Sequence, residues 1–413
     1  MLKRFCQYVG KVFEFSSLIF GVTEYRISPE IPLGNVLSST LVMFILRLGS
    51  INGIESELRH NKKLKQFIGK KLPSADTIGR VLNGINTDEL RKILYTINHK
   101  LKRNKVFKGK RSYFFVAVDG HEFFASFYRS CEQCSVRYLT INDKKVAEYY
   151  HRGVVCHLIG ETLSIPLDIE MIQPGEGELT AVQRLLKRVI KNYSRFFDVI
   201  VGDALYFNAP FFKLCKDLGK DVIAVMKGED RTLLKDAQGL FEKKVAGQWE
   251  QDGQTCFYWD DEGFGSDGLD FKVRVLHTEE LEIKRHRKGN KWVKEEHVAT
   301  WWWVTTLSKQ QLPTKELWEA AHQRWDIENR NFNTLNMHWS LDHCFKHKPV
   351  AIVNFILMLF ISFVLIQSFY FRNIKKVLRK TFALIALAKE FIRSLVETTW
   401  VKPWLSLPVS DPP

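Results

Sequence analysis

The stretch Tyr113–Gly120, which reads YFFVAVDG, places an aspartate directly after a run of apolar residues. The run predicts a buried β-strand that Asp119 closes. A second short apolar run, Val199–Gly202, is followed by Asp203, and Glu328 lies in a segment with helical character. The carboxyl ends of buried strands are where open α/β sheets gather ligand-binding groups. We therefore expect the three acids to meet at one site.

The segments around these acids alternate between strand and helix patterns. Their order is a strand, a hairpin of two strands, a helix, a strand, a helix and a strand. This order predicts an α/β domain of the RNase H-like type. In chain order the segments are residues 113–118, 149–159 with 164–172, 179–193, 199–203, 211–218 and 222–226.

The rest of the chain divides around this domain by changes in pattern. A helical, basic region precedes the domain, short strands punctuated by glycines interrupt it, and helical patterns resume after Pro313. The predicted divisions are a helical basic N-terminal region at residues 1–111, the first part of the RNase H-like domain at 112–227, a β-rich insertion at 228–306, a helix that carries Glu328 and completes the domain at 307–345 and a C-terminal helical region at 346–413.

Composition limits both the class of protein and its partner. The chain has 413 residues, of which 45% are hydrophobic, so it can bury a large core and is not a disordered protein. A formal charge of +15 and a pI near 9.3 predict a polyanionic partner, because lysine and arginine gain affinity by releasing counterions from phosphates. Nucleic acid is the first candidate, and an acidic membrane surface is the second.

Cysteine usage and the start of the chain favour a cytoplasmic protein. Seven cysteines, an odd number without framework spacing, fit a reducing compartment better than a disulfide scaffold. Charged residues interrupt Met1–Gly21, so we do not expect a secretory signal peptide.

One long apolar stretch has two interpretations. Ala351–Tyr370 is nearly continuous in apolar residues and is about long enough to span a bilayer. Asn354, Ser362, Gln367 and Ser368 interrupt it. We favour a buried core helix, and a membrane-associated segment is the alternative.

The N-terminal region offers two features that suit DNA contact. Capped starts at Ser74 and Asn86 predict two short helices, which are compatible with a helix-turn-helix or with a small helical bundle. A basic run then leads into the first strand. Lys102, Arg103 and Lys105 in this run are candidate DNA contacts, and a solvated charged face is the alternative interpretation.

The three acids suit metal-dependent chemistry at phosphodiesters. Two divalent ions roughly 3.5–4 Å apart can activate an oxygen nucleophile and stabilise a leaving oxygen. Carboxylates suit Mg²⁺, and Mn²⁺ can take its place. We expect Asp119 to bridge both ions and Asp203 and Glu328 to hold one side each. Arg324, four residues before Glu328, could bind a phosphate oxygen, and an ordinary ion pair with Glu328 is the alternative.

These segments resemble the catalytic blocks of a known family. The family is the bacterial insertion-sequence DDE transposases, in the branch with a β-rich insertion before the glutamate. The similar blocks are Val116–Gly120, Asp203 with Ala204–Tyr206, and Arg324–Asn329 followed by Phe332–Leu335.

The resemblance extends from about Leu72 to Asn373. It implies an RNase H-like fold, and Mg²⁺-dependent DNA cleavage and strand transfer by Asp119, Asp203 and Glu328. It also implies binding to terminal inverted repeats and target DNA by a nucleoid-associated protein of the bacterial cytoplasm. Since two ends must be joined, a homodimer on DNA is expected.

Two positions depart from the family's pattern. Ala321 stands where many relatives have a tyrosine three residues before the arginine. Leu335 and Asn336 stand where relatives have a lysine, seven or eight residues after the glutamate. Those side chains are thought to grip terminal phosphates, and Asn336 is therefore a candidate DNA contact. The alternative function is a catalytically inactive, transposase-derived DNA-binding protein.

The β-rich insertion contains three consecutive tryptophans, Trp301, Trp302 and Trp303. Strand alternation predicts that Trp302 lies on the face opposite its two neighbours. Trp302 is a candidate for stacking on a flipped DNA base, and core packing is the alternative.

Cysteine and histidine pairs elsewhere are compatible with structural zinc. They are Cys131-x-x-Cys134, Cys156-His157 and His343-Cys344. A second CxxC and a regular histidine spacing are missing, so unliganded thiols are the favoured interpretation.

Other acids lie close to the proposed site in sequence. His121 and Glu122 could lie at its rim, and Glu122 is expected to be solvated or paired with a basic residue. Glu176 and Glu178 precede a helix whose N-terminus favours acids, so a structural role is expected for both.

Overall fold

The computed structural model of the protein describes residues 1–228, 231–251, 253–288, 291–397 and 403–405. A ten-stranded sheet runs through the molecule, and helices pack on it from both ends of the chain. The predicted α/β class is confirmed.

The N-terminal region is helical, as its apolar spacing predicts. Ser74 and Asn86 cap two of its helices, since their side chains accept the N–H groups of Thr77 and Asp88. The helices are α1 (Leu2–Phe13), α2 (Phe15–Phe20), α3 (Leu33–Ile45), α4 (Ile51–His60), α5 (Lys62–Ile68), α6 (Ala75–Gly84) and α7 (Thr87–Arg103).

The next elements are β1 (Phe115–Ser126), β2 (Ser135–Ile141), β3 (Lys144–Ile159), β4 (Ile165–Met171), α8 (Glu178–Tyr193), β5 (Val199–Gly202), α9 (Ala209–Asp217) and β6 (Asp221–Val225). Five of these strands form the central sheet, whose spatial order is β4-β3-β1-β5-β6. Strand β3 runs antiparallel to both β1 and β4, whereas β1, β5 and β6 run parallel.

Two details of this sheet differ from prediction. Asp119 does not close β1, because the strand continues to Ser126 by pairing with β3. Strand β2 was not predicted; it pairs with the first half of β3, which is why β3 begins at Lys144. The second half of β3 forms the predicted hairpin with β4.

The described part of the predicted β-rich insertion contains α10 (Thr232–Phe241), β7 (Gly247–Gln251), β8 (Gln254–Phe264), β9 (Val273–Lys288) and β10 (Lys291–Thr305). Its strands continue the central sheet, because β10 pairs with β6, with Trp303 opposite Val225. Helix α10 is a correction, because strands alone were expected here.

Helical structure then returns. A 3₁₀ turn, Gln323–Trp325, and a π-helical segment, Ile327–Phe332, follow the first of these helices. The α-helices are α11 (Thr314–His322), α12 (Asn333–Trp339), α13 (Pro349–Asn373) and α14 (Leu387–Glu397). Residues 398–402 and 406–413 of the predicted C-terminal region lie outside the described residues.

Helix α13, the long apolar stretch, lies at the centre of the helical layer. It packs against α3, α6, α7 and β4. Asn354 donates to the carbonyls of Leu82 and Ile85, and Gln367 exchanges two hydrogen bonds with the backbone of Ser164. Among the described residues it is the one helix long and apolar enough to cross a membrane, yet most of its surface is buried. These contacts favour the core-helix interpretation.

The same contacts bear on the helix-turn-helix hypothesis. Helices α6 and α7 both bury a face against α13. They therefore form part of a helical bundle that joins the two ends of the chain.

Candidate active site

The strand register brings the two aspartates level with each other. The parallel pairing of β1 with β5 ends with Ala117 opposite Val201, and Asp119 and Asp203 each lie two residues beyond that pair. Neighbouring strands lie about 4.8 Å apart. Asp119 thus lies where the parallel pairing ends, although its own strand runs on.

Asp203 follows β5 directly and begins a short 3₁₀ helix, Ala204–Tyr206. Its Oδ1 accepts the N–H of Leu205 at 2.8 Å. The turn carries the Tyr206 ring into the protein, where it is fully buried. The tight turn after Asp203 therefore orients both its own carboxylate and the tyrosine.

Glu328 lies on the π-helical segment rather than on a regular α-helix. π-Helical segments are rare in proteins, and those that do occur frequently lie at functional sites. Two neighbours anchor the segment to the β3–β4 turn: Arg330 donates to the carbonyls of Glu161 and Thr162, and Asp326 accepts the N–H of Gly160 at 3.0 Å. The glutamate is thereby held against the central sheet.

Arg324 links the first and third acids. Its Nη1 lies 2.9 Å from Oε1 of Glu328 and 3.5 Å from Oδ2 of Asp119. The ion pair with Glu328, which is the alternative role of Arg324, is therefore present. It also extends to Asp119, which shows that the two acids share one guanidinium.

The electrostatics of Asp119 reflect this crowding. The pKa of its carboxyl is raised to about 7, above all by burial, while the charge of Arg324 acts in the opposite direction. The negative charges of Glu328 and Asp203, followed by that of Glu178, also contribute to this rise. The group is short of positive charge, which a divalent cation could supply.

Glu178 is a fourth carboxylate near Asp119, where the sequence pattern predicts only a structural role at the start of a helix. It accepts hydrogen bonds from Tyr206 at 2.7 Å and from Arg152 at 2.9 Å. A Cβ atom on Gly120 would lie only 2.2 Å from its Oε2, so the glycine after Asp119 makes room for it. The Asp-Gly dipeptide was the only sequence signal that could have indicated a close approach.

The rim of the site contains the other predicted neighbours of Asp119. Nε2 of His121 lies 2.8 Å from Asp342, and its ring stacks on Phe332. Nδ2 of Asn336 is 3.5 Å from the same Nε2, and its buried Oδ1 has no hydrogen-bond partner among the described residues. Glu122, as expected, pairs with a basic residue, Arg137.

The predicted basic contacts separate into two kinds. Arg103 and Lys105 are exposed. The predicted DNA contact is corrected for Lys102. Its ammonium donates to the carbonyls of Arg195 and Phe196 at 2.6 and 2.7 Å and lies over the Phe114 ring. It stabilises the protein instead of facing a ligand.

Trp302 also differs from its predicted role in stacking on a base. It lies on the face opposite Trp301 and Trp303, as alternation predicts, and those two stack on each other. The rings of His277 and Phe241 stack against Trp302, the first at a centroid distance of 3.8 Å. Its ring faces are therefore engaged within the protein, as the core-packing alternative describes.

A comparison with protein families identifies the arrangement. A family model described as the transposase DDE domain matches residues 116–365, which include Asp119, Asp203 and Glu328. The chain belongs to this family. The transposase therefore acts on DNA, and the predicted RNase H-like fold and insertion-sequence type are confirmed. No curated protein matches the chain.

At the two departures from the family pattern, the transposase has buried apolar side chains. Ala321 is buried in α11, and Leu335 is fully buried in α12. Neither side chain can contact a phosphate. Asn336, next to Leu335, is partly exposed and remains the polar group at this position.

Proposed function

We propose that this transposase binds the terminal inverted repeats of an insertion sequence and catalyses DNA cleavage and strand transfer with Asp119, Asp203 and Glu328. The observation that carries the proposal is the convergence of the three acids. Asp119 and Glu328 share the Arg324 guanidinium, and the strand register sets Asp203 beside Asp119.

The donor set fits Mg²⁺, with Mn²⁺ as a substitute. Carboxylate oxygens are hard ligands, and the raised pKa of Asp119 indicates a site in need of positive charge. Asp119, Asp203 and Glu328 would hold the metal. When bound, it would activate the attacking oxygen and stabilise the leaving oxygen of the phosphodiester.

The protein's own cationic and polar groups would position the DNA. Arg324 carries a planar guanidinium, which binds phosphate oxygens in two contacts, and it lies beside both Asp119 and Glu328. The side-chain amide of Asn336, whose Nδ2 lies 3.5 Å from His121, would donate a hydrogen bond to a phosphate oxygen near the same edge. Arg103 and Lys105, which are exposed, would contact the DNA backbone.

The insertion and the oligomer complete the proposal. Trp292, at the start of β10, is largely exposed, so it is better placed than Trp302 to meet DNA near the element's ends. A homodimer on DNA follows from the need to join two ends in one complex.

The second candidate function is a DNA-binding descendant that no longer cuts. Ala321 and Leu335 favour it, because both are buried apolar residues at positions where relatives bind phosphate. The two functions differ in one measurable property, which is cleavage.

The test uses linear DNA that carries the element's own ends, incubated with the full-length protein and Mg²⁺ or Mn²⁺. We expect cleavage at the end junction that disappears in Asp203→Ala while DNA binding persists. Asp217→Ala, at the exposed end of α9, is the matched control and should cut normally. Binding without cleavage by the natural protein under both metals would establish the inactive descendant instead.

A further inference from the structure

Four metal-ligating side chains meet away from the acidic site. They are Cys131, Cys134, His151 and His347, and their ligand atoms all lie within 4.8 Å of one another. Neither histidine belongs to the pairs Cys156-His157 and His343-Cys344, which the sequence pattern indicates as candidate zinc ligands. The ring of Phe124 packs against both imidazoles.

The distances between the ligand atoms match a tetrahedron. Around a zinc ion, two sulfurs would lie about 3.8 Å apart, and a sulfur and a nitrogen about 3.6 Å apart. The two cysteine sulfurs are 3.7 Å apart. Nε2 of His151 lies 3.3 and 3.2 Å from them, and Nε2 of His347 lies 3.2 Å from Sγ of Cys134. The sulfurs are too far apart for a disulfide.

The backbone around the cysteine pair and the types of ligand also fit a zinc ion. Cys134 N–H donates to the carbonyl of Cys131, and Cys131 N–H donates to Sγ of Cys134, which forms a tight turn around the pair. Thiolate and imidazole ligands in a tetrahedral arrangement select zinc, whereas Mg²⁺ requires oxygen ligands. The cluster is therefore chemically distinct from the carboxylate site.

We propose that Cys131, Cys134, His151 and His347 form a structural zinc site. The ion would join three separate segments: the β1–β2 connection, strand β3 and the segment just before α13. Cys134 and His347 are 213 residues apart, so the cross-link closes a long loop. All four positions are occupied by protein, as in closed structural sites, so the role is stabilisation and not catalysis.

The site would hold the chain near the catalytic acids. The segment that ends at His347 also contains Asp342. Asp342 pairs with His121, which lies two residues after Asp119 in the chain. Zinc would thus support the path from the Glu328 segment to α13. This role does not depend on whether the protein cuts DNA.

The test measures metal in the full-length protein purified under reducing conditions from zinc-supplemented cells. We expect one zinc per chain by elemental analysis. Replacement with Co²⁺ should give the visible bands of tetrahedral cobalt and a thiolate-to-cobalt charge-transfer band. The melting temperature should fall when zinc is removed by a chelator and recover when zinc alone is returned.

Substitutions then assign the ligands. Cys131→Ser and His347→Ala should lose stoichiometric zinc, whereas Cys344→Ser, in the same segment as His347, should keep it. Zinc retained by Cys131→Ser, or lost by Cys344→Ser, would overturn the ligand set. Reduced natural protein that takes up neither Zn²⁺ nor Co²⁺ would overturn the proposal whether or not the variants fold, and no DNA is needed for any of these measurements.

Discussion

Asp119 is a residue at which fold stability and the proposed metal binding conflict. Its carboxyl has a pKa of about 7, raised by burial and by neighbouring acids. In the unfolded chain the group ionises near pH 4. Between pH 4 and pH 7 the folded protein therefore binds more protons, so the free energy of unfolding decreases as pH rises through this window. The full penalty applies above pH 7 and is at most about 4 kcal/mol.

Asp119→Asn should remove this penalty. Without added divalent cation, we expect the variant and the natural protein to be equally stable near pH 4 and the variant to be more stable above pH 7. Guanidinium unfolding at several pH values measures the difference. Adding Mg²⁺ should stabilise the natural protein and not the variant. A stability difference that does not change with pH would contradict the electrostatic account.

A substitution at Gly120 tests the role of Glu178 without changing Glu178 itself. In Gly120→Ala the new Cβ would displace the Glu178 carboxylate, which is the end of a flexible side chain. We expect folding to change little and cleavage to fall about 10- to 100-fold, as small misplacements at active sites do. Gly177→Ala, whose Cβ would meet open space next to Glu178, is the control.

A double variant distinguishes this route from a direct effect of the alanine. If Gly120 acts through Glu178, adding Glu178→Gln to Gly120→Ala should lower cleavage no further than Glu178→Gln alone. Additive losses would show that the two residues act separately.

Residues that stand beside strands were easier to predict than those brought in from elsewhere. Asp119, Asp203 and Glu328 follow apolar or helical patterns, and the structure places them together. Glu178 could not be recognised, because an acid in the first turn of a helix has the same sequence signature whether it stabilises the helix or faces a site. His151 and His347 have no local pattern, since their proximity arises from the tertiary fold.

At the scale of elements, Asp168 on β4 fastens the helical layer to the sheet. The carboxylate is fully buried and accepts from Arg91 at 3.0 Å, from Tyr95 at 2.8 Å and from Arg188 at 2.7 Å. The first two belong to α7 and the third to α8. Removing one partner from a buried charge cluster leaves the others uncompensated.

We therefore expect Asp168→Asn to lower the free energy of unfolding by about 3–5 kcal/mol. Asp88→Asn is the matched control, because Asp88 also pairs with Arg91 but is largely exposed, and it should change stability by less than about 1 kcal/mol. Equilibrium unfolding in guanidinium compares the two. Equal effects would show that Asp168 does not anchor α7.

The end of α7 allows stability and DNA binding to be separated. Lys102→Met should lower stability by about 1–3 kcal/mol, because two carbonyls lose their donor, and should leave DNA affinity unchanged. Arg103→Gln and Lys105→Gln should leave stability unchanged and reduce the slope of log affinity against log salt by about 1 each. Denaturant unfolding and DNA titrations at several salt concentrations measure both. Loss of affinity in Lys102→Met alone would reverse the assignment.

Some elements could not be predicted because tertiary pairing decides them. Strand β1 continues past Asp119 only because β3 supplies hydrogen bonds to its far half, and β2 exists only as a partner of β3. Helix α10 is different. Its buried residues Leu233, Leu234, Ala237 and Phe241 do follow a helical spacing, and the turn-rich surroundings concealed it.

At the scale of the whole molecule, the main question is whether α13 is a core helix or a membrane-spanning helix. Hydropathy could not distinguish the two, because a helix surrounded by protein on all sides is as apolar as one surrounded by lipid. The polar side chains carry the distinction. Asn354 and Gln367 bind the backbone of distant segments, and these contacts exist only if α13 lies inside the fold.

Asn354→Leu gives opposite outcomes for the two interpretations. For a core helix, the variant should lose about 1–3 kcal/mol of stability, because the carbonyls of Leu82 and Ile85 lose their donor. Ser362→Ala, which removes a bond within α13 itself, should change stability less. Both proteins should remain in the aqueous phase when a nonionic detergent solution is separated by warming. If Asn354→Leu instead keeps full stability and moves into the detergent phase, α13 is a membrane segment, since replacing a polar residue with leucine favours insertion.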